Sequence, residues 1–181
     1  MIKLSDLVFE FIAQRNISKV FILPGGGAMH LVDSLGKNKN LTHISMHHEQ
    51  AVGIAAEYYG RIEEEPGVSL VTTGPGATNI ITPFVGAWIE SVPFLVISGQ
   101  VKRKDMMKNE DGIRQLGVQE VNIVEMIKNY SKYALTIIDP LKIRFHLEKA
   151  FHLMNTGRKG PVWIDIPLDV QATKIPNWNE L

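Results

Sequence analysis

A chain of 181 residues is long enough to form one domain with a buried core, and its 45% hydrophobic and 21% charged residues are typical of a globular protein. Its 19 basic and 19 acidic residues cancel, which argues against a nucleic-acid partner, and the lack of cysteine excludes disulfide bonds and thiol catalysis. The charged N-terminal segment differs from a signal peptide and no apolar run is long enough to span a membrane, so we expect a cytoplasmic protein.

Helix and strand patterns alternate along almost the whole chain. Runs of branched and aromatic residues predict strands, and apolar residues three or four positions apart predict helices. The predicted order is a helix in "MIKLSDLVFEFIAQRN", a strand in "KVFIL", a helix in "AMHLVDSLGK", a strand in "LTHISM", a helix from Glu49 to Arg61, a strand in "VSLVTT" that breaks at "GPGATN", a helix after that break up to Trp88, a strand in "VPFLVISG", helices in "VQEVNIVEMIKN" and "PLKIRFHLEKAFHLMNTG", and a strand in "GPVWIDIP". Because parallel strands need crossover helices, this alternation predicts an α/β fold, a three-layer α/β/α domain with a mostly parallel sheet.

Two segments stand outside this alternation. The polar stretch from Lys102 to Gly117 is long enough to be a mobile loop at an active site. The last residues, ending in "IPNWNEL", read as the start of a linker or tail. We therefore assign residues 1–170 to one domain and residues 171–181 to a linker or tail.

Two glycine clusters lie where a strand is predicted to turn into a helix, at Gly25–Gly27 and at Gly74 and Gly76. In an open parallel sheet, ligands bind beyond the carboxyl ends of the strands, so both loops lie where a site is expected. His30 and Asn79 stand where a dinucleotide fingerprint has its third glycine, and no G-K-[ST] follows either cluster. Spacing alone therefore leaves two interpretations open, a ligand-binding loop or a tight turn that lets a helix approach a strand.

The stretch "HISMHHEQ" places three histidines beside Glu49. His43 and His47 straddle a change of element, and adjacent side chains on an extended segment point to opposite faces, so shared metal ligation is disfavoured against capping or core roles. A glutamate in the first turn of a helix ordinarily complements the helix dipole. Because small residues follow Glu49 and permit close packing against another body, it is also a candidate for a buried carboxyl group that transfers protons.

Four segments together resemble the N-terminal pyrimidine-binding domain of thiamine-diphosphate enzymes, most closely the acetolactate synthase group. They are "FILPGGG", "HHEQAVGIAAEYYGR", "VTTGPGATNIITPFVGAWIESVPFLVISGQV" and "GPVWIDIPLDV". The resemblance covers roughly residues 1–170, with the motifs in the family's order. It implies the thiamine-diphosphate-binding fold, thiamine diphosphate as cofactor, and a carboligase that acts on pyruvate or another 2-keto acid.

The resemblance also gives Glu49 a role, since it is the glutamate of the "HEQ" motif. In this family that glutamate hydrogen-bonds N1′ of the cofactor's aminopyrimidine and favours the imino tautomer, whose N4′ takes the proton from thiazolium C2. The same matching of motifs implies that Pro24 and Gly25 line the pyrimidine, that Pro75 and Asn79 bound its pocket, that Gln100 and Gln119 face the substrate region, and that His48 shapes the pocket beside Glu49.

One position departs from the family pattern. In "LGVQEV", Val118 stands where acetolactate synthases typically carry a phenylalanine before the glutamine. This departure puts the usual substrate pair, two pyruvates or pyruvate with 2-ketobutyrate, in doubt. A related carboligase or a 2-keto-acid decarboxylase therefore stays open.

The signature of the family's diphosphate domain is missing. That domain carries G-D-G with an asparagine pair further along, and the nearest match here is "EDG" at Glu110–Gly112 without such a pair. We therefore expect no metal site in this chain, with Mg²⁺ and the diphosphate bound by a second domain. FAD is left open, since many acetolactate synthases bind it in a middle domain.

The chain by itself is consequently expected to be inactive. A diphosphate-binding domain further along the same polypeptide is the simplest complement, and a separate chain, as in split 2-keto-acid decarboxylases, is the alternative. A non-catalytic binding or assembly module is a third interpretation, which the retained Glu49 disfavours. Because sites in this family lie between subunits, we expect a homodimer or tetramer.

Overall fold

The structure, a computed structural model, describes residues 1–107, 112–177 and 180. The strands are β1 (Ile2–Lys3), β2 (Lys19–Ile22), β3 (Thr42–Ser45), β4 (Gly67–Val71), β5 (Phe94–Gln100), β6 (Tyr133–Thr136), β7 (Val162–Pro167) and β8 (Lys174–Ile175). The helices are α1 (Leu4–Ala13), α2 (Met29–Lys37), α3 (Glu49–Glu63), α4 (Pro75–Asn79), α5 (Ile81–Ile89), α6 (Ile123–Ile127), α7 (Ile143–Asn155) and α8 (Leu168–Gln171). Short 3-10 turns occupy Gly26–Ala28, Arg103–Asp105, Lys128–Tyr130 and Pro140–Lys142.

The central sheet has six strands in the order β3-β2-β4-β5-β7-β6, and every neighbouring pair is parallel. From β2 the chain runs outward to β3 and then crosses to the other side of β2 to form β4. The strand order therefore reverses between β2 and β4. Ligands of open parallel sheets bind at such a reversal, beyond the carboxyl ends of the two strands.

Helices cover both faces of the sheet. One core contains apolar residues of α1, α2, α7 and α8, and the other contains those of α3, α4, α5 and α6. Successive strand residues alternate between the two cores, as Val20 and Phe21 do, because side chains along a strand point to opposite faces. This confirms the predicted three-layer α/β/α fold.

Two helical regions of the structure differ from the prediction. The helix expected in "VQEVNIVEMIKN" is confined to α6, because Gln119 has a φ of 58° and the Asn122 side chain caps the helix at the Glu125 N–H. The helix expected after "GPGATN" is α5, and part of "GPGATN" itself forms the additional short helix α4. Pro83 keeps α4 and α5 separate, since it has no N–H to donate to the carbonyl group of Asn79.

Three short strands were missed by the sequence analysis. One is β6, a half-buried edge strand of four residues. β1 and β8 pair antiparallel, Ile2 with Ile175, and Ile175 is 1% exposed. Packing thus continues to Ile175, and the domain boundary at residue 170 stays a prediction.

Three further features bear on the predictions. Of the predicted mobile loop, residues 108–111 lie outside the described residues, as do Glu110 and Asp111 of the "EDG" match, and the mobility stays a prediction. The described flanks of this loop are joined by the Glu120 carboxylate, which accepts the N–H groups of Met107 at 2.5 Å and Gly117 at 3.1 Å. Across the described ranges, no helix has the length and apolar character needed to cross a membrane.

Candidate functional site

Glu49 is the first residue of α3 and lies just beyond the carboxyl end of β3. His48 caps this helix, since its Nδ1 accepts the backbone N–H of Gln50 at 3.1 Å. The Glu49 side chain is 8% exposed, and its Oε2 accepts a hydrogen bond from Asn79 Nδ2 at 2.9 Å. The β3–α3 turn and α4 thus hold a nearly buried carboxyl group in one orientation.

The other carboxylate oxygen of Glu49 faces a glycine. A Cβ added to Gly76 would lie 3.1 Å from Glu49 Oε1 and 2.6 Å from Thr72 Cγ2. A Cβ on Gly25 would meet the same Thr72 at 2.6 Å. The Thr72 side chain therefore packs against the backbone of both glycine loops, the one after β2 and the one after β4. Within the described part of the chain, Oε1 accepts no hydrogen bond, and a side chain at position 76 would crowd it.

Gly74 makes the sharp turn between β4 and α4. Its φ of 59° and ψ of −120° belong to a backbone region that L-residues rarely adopt, and a Cβ there would lie 1.9 Å from the carbonyl oxygen of Gln119. The segment around Gln119 therefore rests directly on this turn. Here the structure requires glycine for both conformation and space.

A cavity of about 430 Å³ opens beside this turn. Its lining comes from the loops after β2, β4 and β5, from the start of α8 and from the segment that carries Gln119. The lining residues are Gly26, Gly27, Thr73, Gln100, Val101, Lys102, Asp105, Leu116, Gly117, Val118, Gln119 and Leu168. Gln119 and Val118 are both exposed, Val118 to 82%, whereas Glu49 lies outside this lining.

Gln100 lines the cavity, but its amide group is committed to the protein. Its Oε1 accepts hydrogen bonds from Thr73 Oγ1 and from the N–H of Val101, both at 2.9 Å. Its Nε2 donates to the Val121 carbonyl at 2.9 Å and to Asp165 Oδ2 at 3.2 Å. Both acceptor sites of the Gln100 amide oxygen and both of its N–H groups are thereby used. Gln100 therefore supports the cavity wall and has no spare donor for a substrate.

Asp165 is the centre of this buried network and was missed by the sequence analysis. It is fully buried, and besides Gln100 its carboxylate accepts hydrogen bonds from Ser98 Oγ at 2.6 Å and Thr136 Oγ1 at 3.0 Å. Burial raises the pKa of Asp165 from 3.8 to about 7, against the lowering effect of its hydrogen bonds. A carboxylate inside the apolar run "GPVWIDIP" is the signal that could have revealed it.

We expect the stability of the fold to depend on pH through Asp165. Because its native pKa lies above the unfolded value, the native state retains a proton that the unfolded state loses, and stability falls as pH rises from about 4 to about 7. Relative to Asp165→Asn, the wild-type free energy of unfolding should fall by about 1.4 kcal/mol per pH unit between pH 5 and 7 and then level off. Urea unfolding of both proteins across this pH range measures the difference in their free energies of unfolding. A difference that does not change with pH would contradict the raised pKa of Asp165.

The remaining predicted residues lie around the same edge of the sheet without converging. Pro24 and Pro75 are exposed at the starts of the two glycine loops. His43 is exposed on β3 and His47 is exposed after it. Throughout residues 1–107 and 112–177, no three histidine, aspartate or glutamate side chains are grouped as metal ligands would be.

Comparison with known proteins shows what this chain is similar to. Residues 2–126 match the family described as "Thiamine pyrophosphate enzyme, N-terminal TPP binding domain". The chain is 35% identical over 177 residues to a chloroplastic acetolactate synthase of Arabidopsis thaliana, which covers 97% of this chain and 25% of that protein. It is 36% identical over 177 residues to acetolactate synthase 2 of Nicotiana tabacum, covering 97% and 26% respectively. It is 34% identical over 168 residues to a mitochondrial acetolactate synthase of Schizosaccharomyces pombe, covering 93% and 24%. The chain thus spans about a quarter of the length of these relatives.

Proposed function

The chain belongs to the thiamine pyrophosphate enzymes as an N-terminal TPP-binding domain, and we propose that it supplies the cofactor-activating half of an acetolactate-synthase-like carboligase. Its substrates would be pyruvate or another 2-keto acid. The observation that carries this proposal is Glu49, nearly buried, with Oε2 held by Asn79 and Oε1 facing Gly76.

The residues around Glu49 fit a flat, nitrogen-containing ring. The absence of a side chain at Gly76 leaves room beside Oε1, and Gly25 and Thr72 provide a close-packed floor at the strand-order reversal. Pro24 and Pro75, which precede Gly25 and Gly76 in the chain, are exposed and supply apolar surface. A ring nitrogen placed against Oε1 would meet a carboxyl oxygen whose position α3 and Asn79 already fix.

Bound thiamine diphosphate supplies the nucleophile that attacks the keto carbon of the substrate. The role of this chain is to hold a proton at Glu49 Oε1 and to share it with the ring nitrogen. Asn79 orients the carboxyl group through Oε2, so the proton is presented from the other oxygen. His48 acts indirectly, since its hydrogen bond to Gln50 fixes the first turn of α3.

We also propose that a diphosphate-binding domain, in this polypeptide or another, binds the diphosphate and Mg²⁺ and covers Glu49. Assembly through α3 would bring that domain close to Glu49, the first residue of the helix. This helix exposes Ile54, Tyr58 and Ile62 to 44%, 55% and 77%. These residues are four positions apart and form one apolar stripe, as expected of a face that packs against another subunit. The expected homodimer or tetramer and the cytoplasmic location stay predictions.

The cavity beside Gly74 is the proposed substrate side. Gln119 and Val118 line it, while Gln100 holds its wall through Asp165. Valine presents less side chain than the phenylalanine typical of acetolactate synthases. This observation favours a second candidate function, decarboxylation of a bulkier 2-keto acid.

The test uses the natural protein that contains this sequence, purified from its own cells. We expect acetolactate to form from pyruvate when thiamine diphosphate and Mg²⁺ are present and not when both are removed. An aldehyde product from a larger 2-keto acid would select the decarboxylase instead, and the absence of both products would contradict the proposal. The intact mass of the subunit decides whether the diphosphate-binding domain is in the same polypeptide. A subunit of 20.3 kDa would place the diphosphate site on a separate chain.

A further inference from the structure

A second cavity lies at the opposite end of the sheet from Glu49. Its volume is about 310 Å³, and it is lined by Trp88, Ile89, Lys132, Arg158 and Lys159. These residues come from the end of α5 and from the segments just before β6 and β7. Because the strands are parallel, all of them lie toward the amino ends of the strands, whereas Glu49 and Gly74 follow carboxyl ends.

The positive charge of this cavity is not neutralised by its lining. Three of the five lining side chains are cations and none is a carboxylate. In the part of the chain that the structure describes, the ion pairs involve other residues, and Lys132, Arg158 and Lys159 take part in none. Three cations around one cavity create a local field that attracts anions.

Neutral partners hold two of these cations in place. Lys132 Nζ donates to the carbonyl oxygens of Thr156 and Arg158, the second at 2.7 Å. Arg158 Nε donates to Ser91 Oγ at 2.7 Å. Carbonyl and hydroxyl oxygens fix these side chains without cancelling their charge, and each cation keeps further N–H groups for a ligand. The arrangement is therefore preorganised.

The remaining wall of the cavity is apolar. Trp88 is 37% exposed and Ile89 is 63% exposed. A Cβ on Gly160 would lie 3.2 Å from the Lys132 stem and 3.8 Å from the Trp88 ring, so glycine lets both side chains rest on the same backbone. An exposed indole beside fixed cations offers a stacking surface next to an anion site.

We propose that this cavity binds a small anion that carries an aromatic ring. The anionic group, a phosphate or carboxylate, would lie between Arg158 and Lys159 within reach of Lys132, and the ring would pack on Trp88. A guanidinium group suits this role, because it can present two parallel N–H donors to either oxyanion. The site lies apart from the proposed catalytic residues, and its existence does not depend on the reaction assigned to Glu49.

The first test is a titration of the 181-residue chain with phenyl phosphate, followed by NMR at the indole N–H of Trp88. This resonance is assigned by its loss in Trp88→Phe. We expect a saturable shift with a Kd of about 1 mM or tighter, and binding of inorganic phosphate at least about tenfold weaker. Absence of a shift at Trp88, or equal affinity for inorganic phosphate, would overturn the proposal.

A pair of charge-reversal variants locates the site. Lys159→Glu is expected to weaken phenyl phosphate binding at least about tenfold, because a like charge would then face the anion. Lys159 suits this test because its ammonium group makes no hydrogen bond or ion pair with the described residues. Lys104→Glu makes the same change in net charge at an exposed lysine after β5, and binding should remain as in the wild type. Equal losses in both variants would mean non-specific attraction and would refute a site at Trp88.

Discussion

Replacing Glu49 with glutamine is expected to lower turnover of the assembled enzyme by about 10²–10⁴-fold, the usual contribution of a positioned acid or base. Glutamine has almost the same shape, and its amide oxygen can still accept the hydrogen bond that Asn79 donates to Glu49. The variant should therefore fold and bind cofactor while losing the proton at Oε1. The direct readout is exchange of the C2 proton of bound thiamine diphosphate in D₂O, which should slow by a similar factor.

A matched control lies on the same helix. Glu63 is the last residue of α3 and is exposed, so Glu63→Gln removes one negative charge without touching the site. We expect this variant to retain wild-type turnover and exchange. If Glu49→Gln also retained both, the proposed role of Glu49 would be wrong, whatever reaction the enzyme catalyses.

Replacing Gly74 with alanine is expected to have the largest effect on stability. The positive φ of Gly74 costs an L-residue about 1–3 kcal/mol, and the clash of a Cβ with the Gln119 carbonyl adds about 1–3 kcal/mol, as overpacking usually does. The sum predicts a loss of about 2–6 kcal/mol in the free energy of unfolding, measured by urea titration. Because the same turn carries α4, any folded fraction should also misplace Asn79 and lose activity.

Gly86→Ala provides the comparison. Gly86 lies inside α5, and a Cβ there meets no atom within 4 Å. Alanine favours the helix over glycine, so this variant should be more stable by up to about 1 kcal/mol. Similar effects at the two glycines would show that the Gly74 turn tolerates a side chain, and the geometry derived for it would be incorrect.

The local elements were predictable because each is encoded in a short window. Runs of branched and aromatic residues gave the buried strands, helical spacing gave the main helices, and the glycine clusters marked the turns at the carboxyl ends of β2 and β4. The prediction failed where the local pattern was weak or overridden. β6 is only four residues long and half-buried throughout, and the positive φ of Gln119 shortens the helix expected around α6.

The amino-acid sequence by itself determined the α/β class, the glycine loops and the placement of Glu49 at the start of α3, since these follow from periodicity and turn chemistry. Only the tertiary structure decided which distant groups meet. Glu49 and Asn79, 30 residues apart, and Gln100 and Asp165, 65 residues apart, are joined by hydrogen bonds that depend on strand order. Likewise, Trp88, Lys132 and Arg158 share a cavity only because three parallel strands begin side by side. A local pattern specifies which face of an element is buried, whereas the partners of its polar groups are fixed by packing of the whole sheet.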